Sequence, residues 1–369
     1  MTRLPDPRRY GGGGEADAVF SACGIAAAGD PGARQDCLAQ LRRALHAGSD
    51  SAIWAMLRRA AAPEPYHALW DLICSATEEP VGQSPGAVVT RVFALPVIFI
   101  VAAREPLVIP GALPEIEAVR ALLDRHGVLG ATRNFGLSNA LCPLEALENL
   151  PASTVYRWTA VSPAAAPRDI AAQKIRVARW PEQVHLRFLV GAGVSAADAP
   201  SLDETAGMIS AWGMPLAREL ARQLAQPGLD LLAIPRPPAG LLRAVHSGRH
   251  AQVELAFHLF ASNAVREFRS ASGDPAVVLS AHRLDAGGAE LRVSLSSELD
   301  DAALEGFRWP LHPLDDLAGI ESSVLGYLDE CRIGGACVVA SVLPDRLENG
   351  SAFIAVRRVD AVARSLAAC

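Results

Sequence analysis

The sequence predicts a mixed α/β fold: an N-terminal helical region followed by repeated βαβ units with mainly parallel sheet and one β-hairpin. A succession of strand, helix with an acidic start, glycine and second strand occurs three times. Two copies also share residues, since Ile116-Glu117 matches Ile320-Glu321 and Gly130-Ala131 matches Gly335-Ala336. Each unit must bury the apolar stripe of its helix against a sheet, so this internal repeat predicts architecture and says little about chemistry.

The first 80 residues contain no strand pattern. Residues 1–14 hold a run of four glycines, and we expect them to be a disordered lead. Residues 15–80 form a helical region in which Leu38, Leu41 and Leu45 recur at helical spacing. This periodicity predicts short helices that pack as hairpins.

Residues 81–150 form the first βαβ unit. The segment Val88–Ala103 is apolar at both alternating sets of positions, which is typical of a central parallel strand. Its apolar run is too short for a membrane-spanning helix, which needs about 20 residues. Pro114 marks the first turn of a helix, and 131–141 returns as a strand.

Residues 151–184 read as a linker because prolines alternate there with alanine and serine. Residues 185–369 contain the second and third units together with the hairpin. In the second unit, strands at 185–194 and 229–234 flank a helical stretch that Pro215 is expected to break. The turn at 285–288 predicts the hairpin, and the third unit runs from 307 to 343.

Composition excludes several classes of function. The chain has 369 residues, a net charge of −6 and a pI near 5.9, so neither nucleic acid nor an anionic membrane is an expected partner. Lys174 is the only lysine; it fits no P-loop, which excludes Walker-type ATPases, and it disfavours an enzyme that uses pyridoxal phosphate. No cofactor is expected. The lack of an apolar leader and of C-x-x-C spacing among seven cysteines predicts a cytoplasmic protein with reduced thiols.

Two short motifs near residue 193 are incomplete. Gly191-Ala-Gly193 lacks the third glycine of a dinucleotide fingerprint, and a turn at the end of a strand is the preferred interpretation. Ser195 loosely resembles a nucleophile elbow, but Pro200 disfavours the helix that should follow at once. Neither motif predicts an enzyme, so whether the protein is one stays open.

One group of histidines and two acidic pairs have side chains that can bind a metal ion, but we expect no metal site at any of them. His246 and His250 are four residues apart, with His258 further along, but no nearby carboxylate or cysteine completes a set of ligands. The acidic pairs 300–301 and 315–316 precede helical stretches, where helix capping is the favoured role.

Ligands of open parallel sheets bind beyond the carboxyl ends of the strands. If this protein has a binding site, the predicted fold places it at the polar residues that follow its strands. Three of them are arginines that could hold a small anionic ligand. The candidate residues are Arg104, Glu105, Ser195, Arg236, His312, Asp345 and Arg346.

Over roughly residues 45–350, the chain resembles a beta-proteobacterial family of unknown function. The resemblance rests on Phe93-Ala-Leu-Pro96, Phe307-Arg-Trp-Pro-Leu311 and Ile320-Glu321, with a similar layout at 234–249. It implies a cytoplasmic bacterial protein and supplies no catalytic residues.

Two functional hypotheses remain. The first is a non-enzymatic binding or assembly protein, whose repeated units form a scaffold and an interface with a second copy or a protein partner. The second is an enzyme or binder of a small anionic ligand, in which Arg104, Arg236 and Arg346 converge in one pocket.

Overall fold

A computed structural model of the chain describes most of its residues and divides them into two units. Unit 1 is drawn from Pro31–Ile53 and Asp71–Gln252, and unit 2 from Trp54–Trp70 and the described part of Val253–Cys369. The predicted disordered lead at 1–14 lies outside the described residues. The structure describes residues 31–58, 60, 63–78, 88–160, 170, 172–179, 181–196, 199–200, 202, 209–271, 273–284, 288–297, 304–333 and 336–338.

The elements follow the predicted succession of strands and helices closely. The helices are α1 Pro31–His46, α2 Asp50–Arg58, α3 Pro63–Glu78, α4 Ile116–Arg125, α5 Leu144–Glu148, α6 Ala152–Ala160, α7 Ile209–Leu224, α8 Leu241–Ala271 and α9 Leu317–Glu330. The strands are β1 Val88–Ala103, β2 Leu107–Ile109, β3 Arg133–Leu137, β4 Cys142–Pro143, β5 Ile175–Val177, β6 Gln183–Ala196, β7 Leu229–Pro235, β8 Ala239–Gly240, β9 Ala276–Arg283, β10 Ala289–Ser296, β11 Leu304–Leu311 and β12 Ala336–Val338.

The main sheet of unit 1 is antiparallel throughout its described pairings. Its order is β3-β6-β1-β7, with β4 also paired to β6 and β8 also paired to β1. The strands β1 and β3, which α4 connects, both run opposite to β6, which lies between them. In the same way, α7 connects β6 and β7, and β1 lies between those two. Two strand–helix–strand successions of unit 1 are thus interleaved in one sheet, which is the split βαβ topology.

The predicted mainly parallel sheet is therefore wrong, although the fold is mixed α and β as expected. All three strand–helix–strand successions exist. In the main sheet, however, β6 is inserted between β1 and β3, and β1 is inserted between β6 and β7, which makes these pairings antiparallel. In the described part of unit 2, β9 and β12 form one short parallel pair over three residues.

Helices α4 and α7 pack against one face of this sheet and form the core of unit 1. The cluster includes Phe93, Leu95, Val97 and Phe99 of β1, Val119 and Leu123 of α4, and Trp212, Leu216 and Leu220 of α7. On the opposite face, Gly248 of α8 lies so close to Phe188 and Pro96 that an added Cβ would be 3.0 and 3.1 Å away from their side chains. Strand β1 is therefore covered on both faces, which explains why it is apolar at every position from Val92 to Ala103.

Gly191 and Gly193 lie inside β6 rather than in the turn that the sequence suggested. Gly191 is paired with Phe93 across the sheet, and a Cβ at Gly191 would be 2.5 Å from the ring of Phe93. A Cβ at Gly193 would be 2.5 Å from Thr132 Cγ2. These glycines are required for close packing, which accounts for the motif without a cofactor.

Three further predictions differ from the structure. Pro215 does not break its helix, because α7 continues through it from Ile209 to Leu224. The expected linker at 151–184 contains α6 and β5, and the division between units falls after Gln252 instead. Cys37 is disulfide-bonded, whereas the thiols of Cys142 and Cys331 are not, so reduced thiols were the wrong expectation for Cys37.

Two helices of unit 1 begin at carboxylates that come from distant parts of the chain. Asp50 accepts hydrogen bonds from the backbone N–H of Ser153, at 2.8 Å, and from its hydroxyl, at the start of α6. Glu78, buried at the end of α3, accepts the backbone N–H of Leu242 at the start of α8. Such acceptors satisfy the free N–H groups of a first helical turn.

Unit 2 contains a four-stranded sheet of order β11-β10-β9-β12. The predicted hairpin is confirmed as β9 and β10, whose register runs from Ala289 opposite Arg283 to Ser296 opposite Ala276. The core of unit 2 joins the sheet to α9 and to the part of α8 that follows Val253. Phe257 is central there, with its ring 5.4 Å from that of Phe307 and 6.0 Å from that of Trp309.

Candidate ligand-binding cleft

A polar cleft of about 300 Å³ lies within unit 1, at an edge of the main sheet. Strand β6 supplies three adjacent residues, and α5, α8 and the segment before β5 supply the others. The lining consists of Leu144, Glu145, Gln173, His185, Leu186, Arg187 and Gln252.

The cleft is located where strand β4 leaves the sheet. Cys142 and Pro143 pair with Phe188 and Arg187 of β6, and the chain then turns directly into α5. On the side of β6 where β3 and β4 pair, the described residues provide no partner strand for residues 183–186. This early departure opens the edge of β6 to Glu145 and the other lining groups.

Among the described residues, Arg187 is the only cation that lines the cleft, and its guanidinium makes few hydrogen bonds. Its Nη1 donates to the carbonyl oxygen of Leu186 at 2.8 Å. Its Nε is buried and, among the described residues, has no hydrogen-bond partner. Burial lowers the pKa of Arg187, while the charge of Glu145 opposes that effect. A half-buried arginine with unused donors suits a bidentate anionic group such as a carboxylate or phosphate.

His185 projects from the same face of β6 as Arg187, two residues along the strand. Its Nε2 lies 3.3 Å from Oε1 of Gln183. Burial lowers the pKa of His185, and the positive charge of Arg187 lowers it further. The imidazole is consequently neutral at pH 7 and presents one donor and one acceptor rather than a second positive charge.

The remaining polar groups of the cleft come from three different segments. Glu145 is exposed at the start of α5, and Gln173 is exposed before β5. Gln252 of α8 donates from Nε2 to the carbonyl oxygen of Val184 at 3.5 Å. The site thus combines one cation, one carboxylate, a neutral imidazole and two amides.

Helices α5 and α8 are also connected beside the cleft. Arg249 Nη1 lies 4.0 Å from Glu148 Oε1, at the limit of an ion pair. Burial raises the pKa of Glu148, which the charge of Arg249 partly offsets. The weak contact holds α5 near α8, from which Gln252 projects.

Two of the three arginines predicted to share a pocket, Arg104 and Arg236, do not meet. Arg104 directly follows Ala103, the last residue of β1, whereas the backbone N–H of Arg236 bonds to the carbonyl of Pro96 at 2.8 Å. The interval along β1 from Pro96 to Arg104 spans roughly 26 Å, at about 3.3 Å per residue. In an antiparallel sheet the carboxyl ends of neighbouring strands lie at opposite ends of the sheet. The rule that ligands bind beyond the carboxyl ends of parallel strands therefore does not apply.

The other predicted residues are also dispersed. Glu105 is exposed next to Arg104, and Ser195 is buried in β6 opposite Val89, at the other end of β1. The hydroxyl of Ser195 has no hydrogen-bond partner among the described residues. His312 belongs to unit 2, where its backbone N–H donates to Asp315 at 2.7 Å. Asp345 and Arg346 lie outside the described residues.

The described residues contain no group of three or more metal-ligating side chains. Of the histidines considered as ligands, His258 stacks on Tyr327 with ring centroids 3.8 Å apart. None of the helices that the structure describes is both long and apolar enough to cross a membrane.

The residues that form the cleft were not among the predicted site residues. One signal was present: Gln183, His185 and Arg187 occupy alternate positions of a strand that is otherwise apolar. Such a polar face inside an apolar strand indicates a place where the sheet is open to solvent or to a ligand. Glu145, Gln173 and Gln252 gave no signal, because only the fold brings them together.

Comparison of the chain with protein-family models, with curated proteins and with solved structures yields no match. The resemblance to a beta-proteobacterial family therefore stays a prediction.

Proposed function

We propose that unit 1 is a binding module, without catalytic activity of its own, that holds a small ligand by an anionic group in the cleft around Arg187. The single observation that carries this proposal is the state of the Arg187 guanidinium. It is half-buried in a polar cleft, and among the described residues only its Nη1 makes a hydrogen bond. An unmatched donor in such a place costs free energy unless a ligand satisfies it.

The size and polarity of the cleft support a small ligand. A volume of about 300 Å³ is at the lower end of the range for small-molecule sites, which is ~300–1,000 Å³. His185, Gln173 and Gln252 offer hydrogen-bonding groups around the charged pair of Arg187 and Glu145. This combination orients a ligand through several polar contacts.

The chemistry at the cleft favours binding over catalysis. Cys142 pairs with Phe188, the neighbour of Arg187 on β6, and burial raises the pKa of its thiol to about 12 despite the opposing charge of Arg187. This thiol is protonated at neutral pH and is a poor nucleophile. His185 makes its hydrogen bond to Gln183 rather than to a hydroxyl or thiol that it could activate.

A thermal-shift screen of the full chain tests the proposal. The panel contains inorganic phosphate, sulfate, mono- and dicarboxylates and α-amino acids. A ligand at ~100 times its dissociation constant adds about 2.7 kcal/mol to the free energy of unfolding, which moves the midpoint by a few degrees. We expect at least one compound to shift the wild type and the shift to disappear in Arg187→Gln.

The matched control is Arg218→Gln, because Arg218 is exposed on α7 and does not line the cleft. This variant should keep the full shift. A panel without any effect, or a shift that Arg187→Gln leaves unchanged, would overturn the proposal. Far-UV circular dichroism of both variants confirms that they are folded. The scaffold and homodimer hypothesis stays a prediction.

A further inference from the structure

We infer that the ligand of this cleft is zwitterionic and is bound as an α-amino acid, with its carboxylate at Arg187 and its ammonium group at Glu145. This inference rests on the proposed function and adds the chemical class of the ligand. It follows from the arrangement of the two charged side chains that line the cleft.

Arg187 and Glu145 influence each other electrostatically but are not paired. Both residues line the same cleft, and the charge of Glu145 raises the pKa of Arg187. No nitrogen of Arg187 lies within 4.0 Å of a carboxylate oxygen of Glu145, the limit for an ion pair. Opposite charges that share a small cleft without contact leave space for a ligand that carries both complementary charges.

The same arrangement disfavours a simple anion. A phosphate or dicarboxylate at Arg187 would bring a second negative charge near Glu145, and like charges in a partly desolvated site repel. Among the described lining residues no second cation offsets this repulsion, because Arg187 is the only positively charged one and His185 is neutral at pH 7. A zwitterion adds no net charge and satisfies both side chains.

The remaining lining groups are consistent with an amino acid. The imidazole of His185 and the amides of Gln173 and Gln252 can each donate and accept hydrogen bonds. Leu144 and Leu186 supply an apolar part of the wall. A cleft of about 300 Å³ is at the lower limit for small-molecule sites and is too small for most nucleotide cofactors.

Isothermal titration calorimetry with matched pairs of compounds tests the inference. Each pair consists of an amino acid and the acid that lacks its ammonium group: L-alanine and propionate, L-leucine and 4-methylpentanoate, L-glutamate and glutarate. A charge-assisted hydrogen bond in a partly buried site contributes enough to change affinity by about tenfold or more. We expect the amino acid of at least one pair to bind more tightly than its partner by this factor.

The variant Glu145→Gln isolates the ammonium contact. Glu145 is exposed, so the substitution should not affect folding. We expect the amino acid to bind about tenfold more weakly and the deaminated acid to bind more tightly, because a repulsive charge is removed. The control Glu117→Gln replaces an exposed carboxylate on α4 that does not line the cleft, and it should preserve the wild-type selectivity.

The outcomes separate the inference from the proposed function. Equal binding of both members of every pair, lost in Arg187→Gln, would overturn the zwitterion and support the anionic site. An ammonium preference that survives Glu145→Gln would also overturn the inference, because another group would have to provide it. Absence of binding by all six compounds and by inorganic phosphate would overturn the inference and the proposed function together.

Discussion

Glu78 and Gly240 allow the strongest test of the fold that supports the cleft. Glu78 is about 4% exposed, and its carboxylate accepts the backbone N–H of Leu242, near the start of the helix that carries Gln252. Arg243 Nη1 lies 3.4 Å from the same carboxylate. A Cβ added to Gly240 would overlap Glu78 Oε2, so Gly240→Ala should displace the carboxylate from the helix start. Gly240 is therefore required for space and not for a left-handed backbone.

The magnitude follows from the groups that lose their partners. Leu242 is buried, and an unsatisfied buried N–H group costs about 1–3 kcal/mol. Glu78→Ala should therefore lower the free energy of unfolding by about 2–4 kcal/mol, with the cavity included. Glu78→Gln keeps an acceptor and loses only the charge, so a loss of about 1 kcal/mol is expected. Gly240→Ala should cost about 2–3 kcal/mol through steric displacement.

A double-mutant cycle measures whether the two positions act through one contact. Urea denaturation followed by circular dichroism gives the free energy of unfolding of each variant. Amide hydrogen exchange across residues 241–252 reports local opening of the helix start. In Glu78→Ala, the added methyl group of Gly240→Ala meets no carboxylate, so the second substitution should cost little. We therefore expect a coupling energy of about 2–3 kcal/mol, nearly the whole cost of Gly240→Ala alone.

Additive effects of Glu78→Ala and Gly240→Ala would refute the reasoning, because independent costs would mean that the carboxylate does not occupy the space beside Gly240. The control Glu105→Gln removes an exposed carboxylate of the same unit and should change stability by less than about 0.5 kcal/mol.

Two further predictions concern β6. Gly191→Ala should lower the free energy of unfolding by about 2–3 kcal/mol, because its Cβ would lie 2.5 Å from the ring of Phe93 and 2.6 Å from the carbonyl oxygen of Gly136; a neutral effect in urea denaturation would contradict the close packing. The lowered pKa of His185 means that the folded state binds fewer protons than the unfolded state between that pKa and the ordinary value of 6.5. Stability should fall as the pH is lowered through this window, and His185→Gln should flatten that slope; an unchanged slope would argue that His185 does not contribute.

Local patterns predicted the elements of this fold well. The continuous apolar run within 88–103, the spacing of Val119 and Leu123, and the hairpin turn at 285–288 depend only on residues close in sequence. The succession of strand, helix and strand was therefore recovered at each of the three predicted sites.

Strand pairing could not be predicted in the same way. An apolar strand such as β1 is expected in a parallel sheet covered by helices, and the same pattern arises in an antiparallel sheet covered on both faces. The sequence contains no local signal that β6 inserts between β1 and β3, because that contact joins residues about 100 positions apart. The first and third units also differ in space: one strand separates β1 from β3, and two separate β11 from β12.

The site prediction was derived from the predicted parallel sheet, so the antiparallel pairing removed its basis. Arg104 and Arg236 were chosen because they follow strands, and antiparallel pairing separates them along β1. Arg187 was overlooked because it lies inside a strand that otherwise fills the core. The strand pairing explains why a polar residue is tolerated there: β4 leaves the sheet after Pro143, which opens the edge of β6.

An arginine inside a central strand has a measurable cost if no ligand requires it. Burial of the guanidinium lowers the pKa of Arg187, and replacing a buried ion by an apolar side chain of similar size is often neutral or stabilising. Since Arg187 is only half-buried, we expect Arg187→Met to raise the free energy of unfolding of the unliganded protein by about 1 kcal/mol and to abolish ligand binding. Urea denaturation and calorimetry on the same sample measure both effects. If Arg187→Met lowered the free energy of unfolding by more than about 2 kcal/mol, Arg187 would be needed to stabilise the edge of the sheet. A gain in stability together with loss of binding is the trade-off expected of a residue that is kept for its ligand.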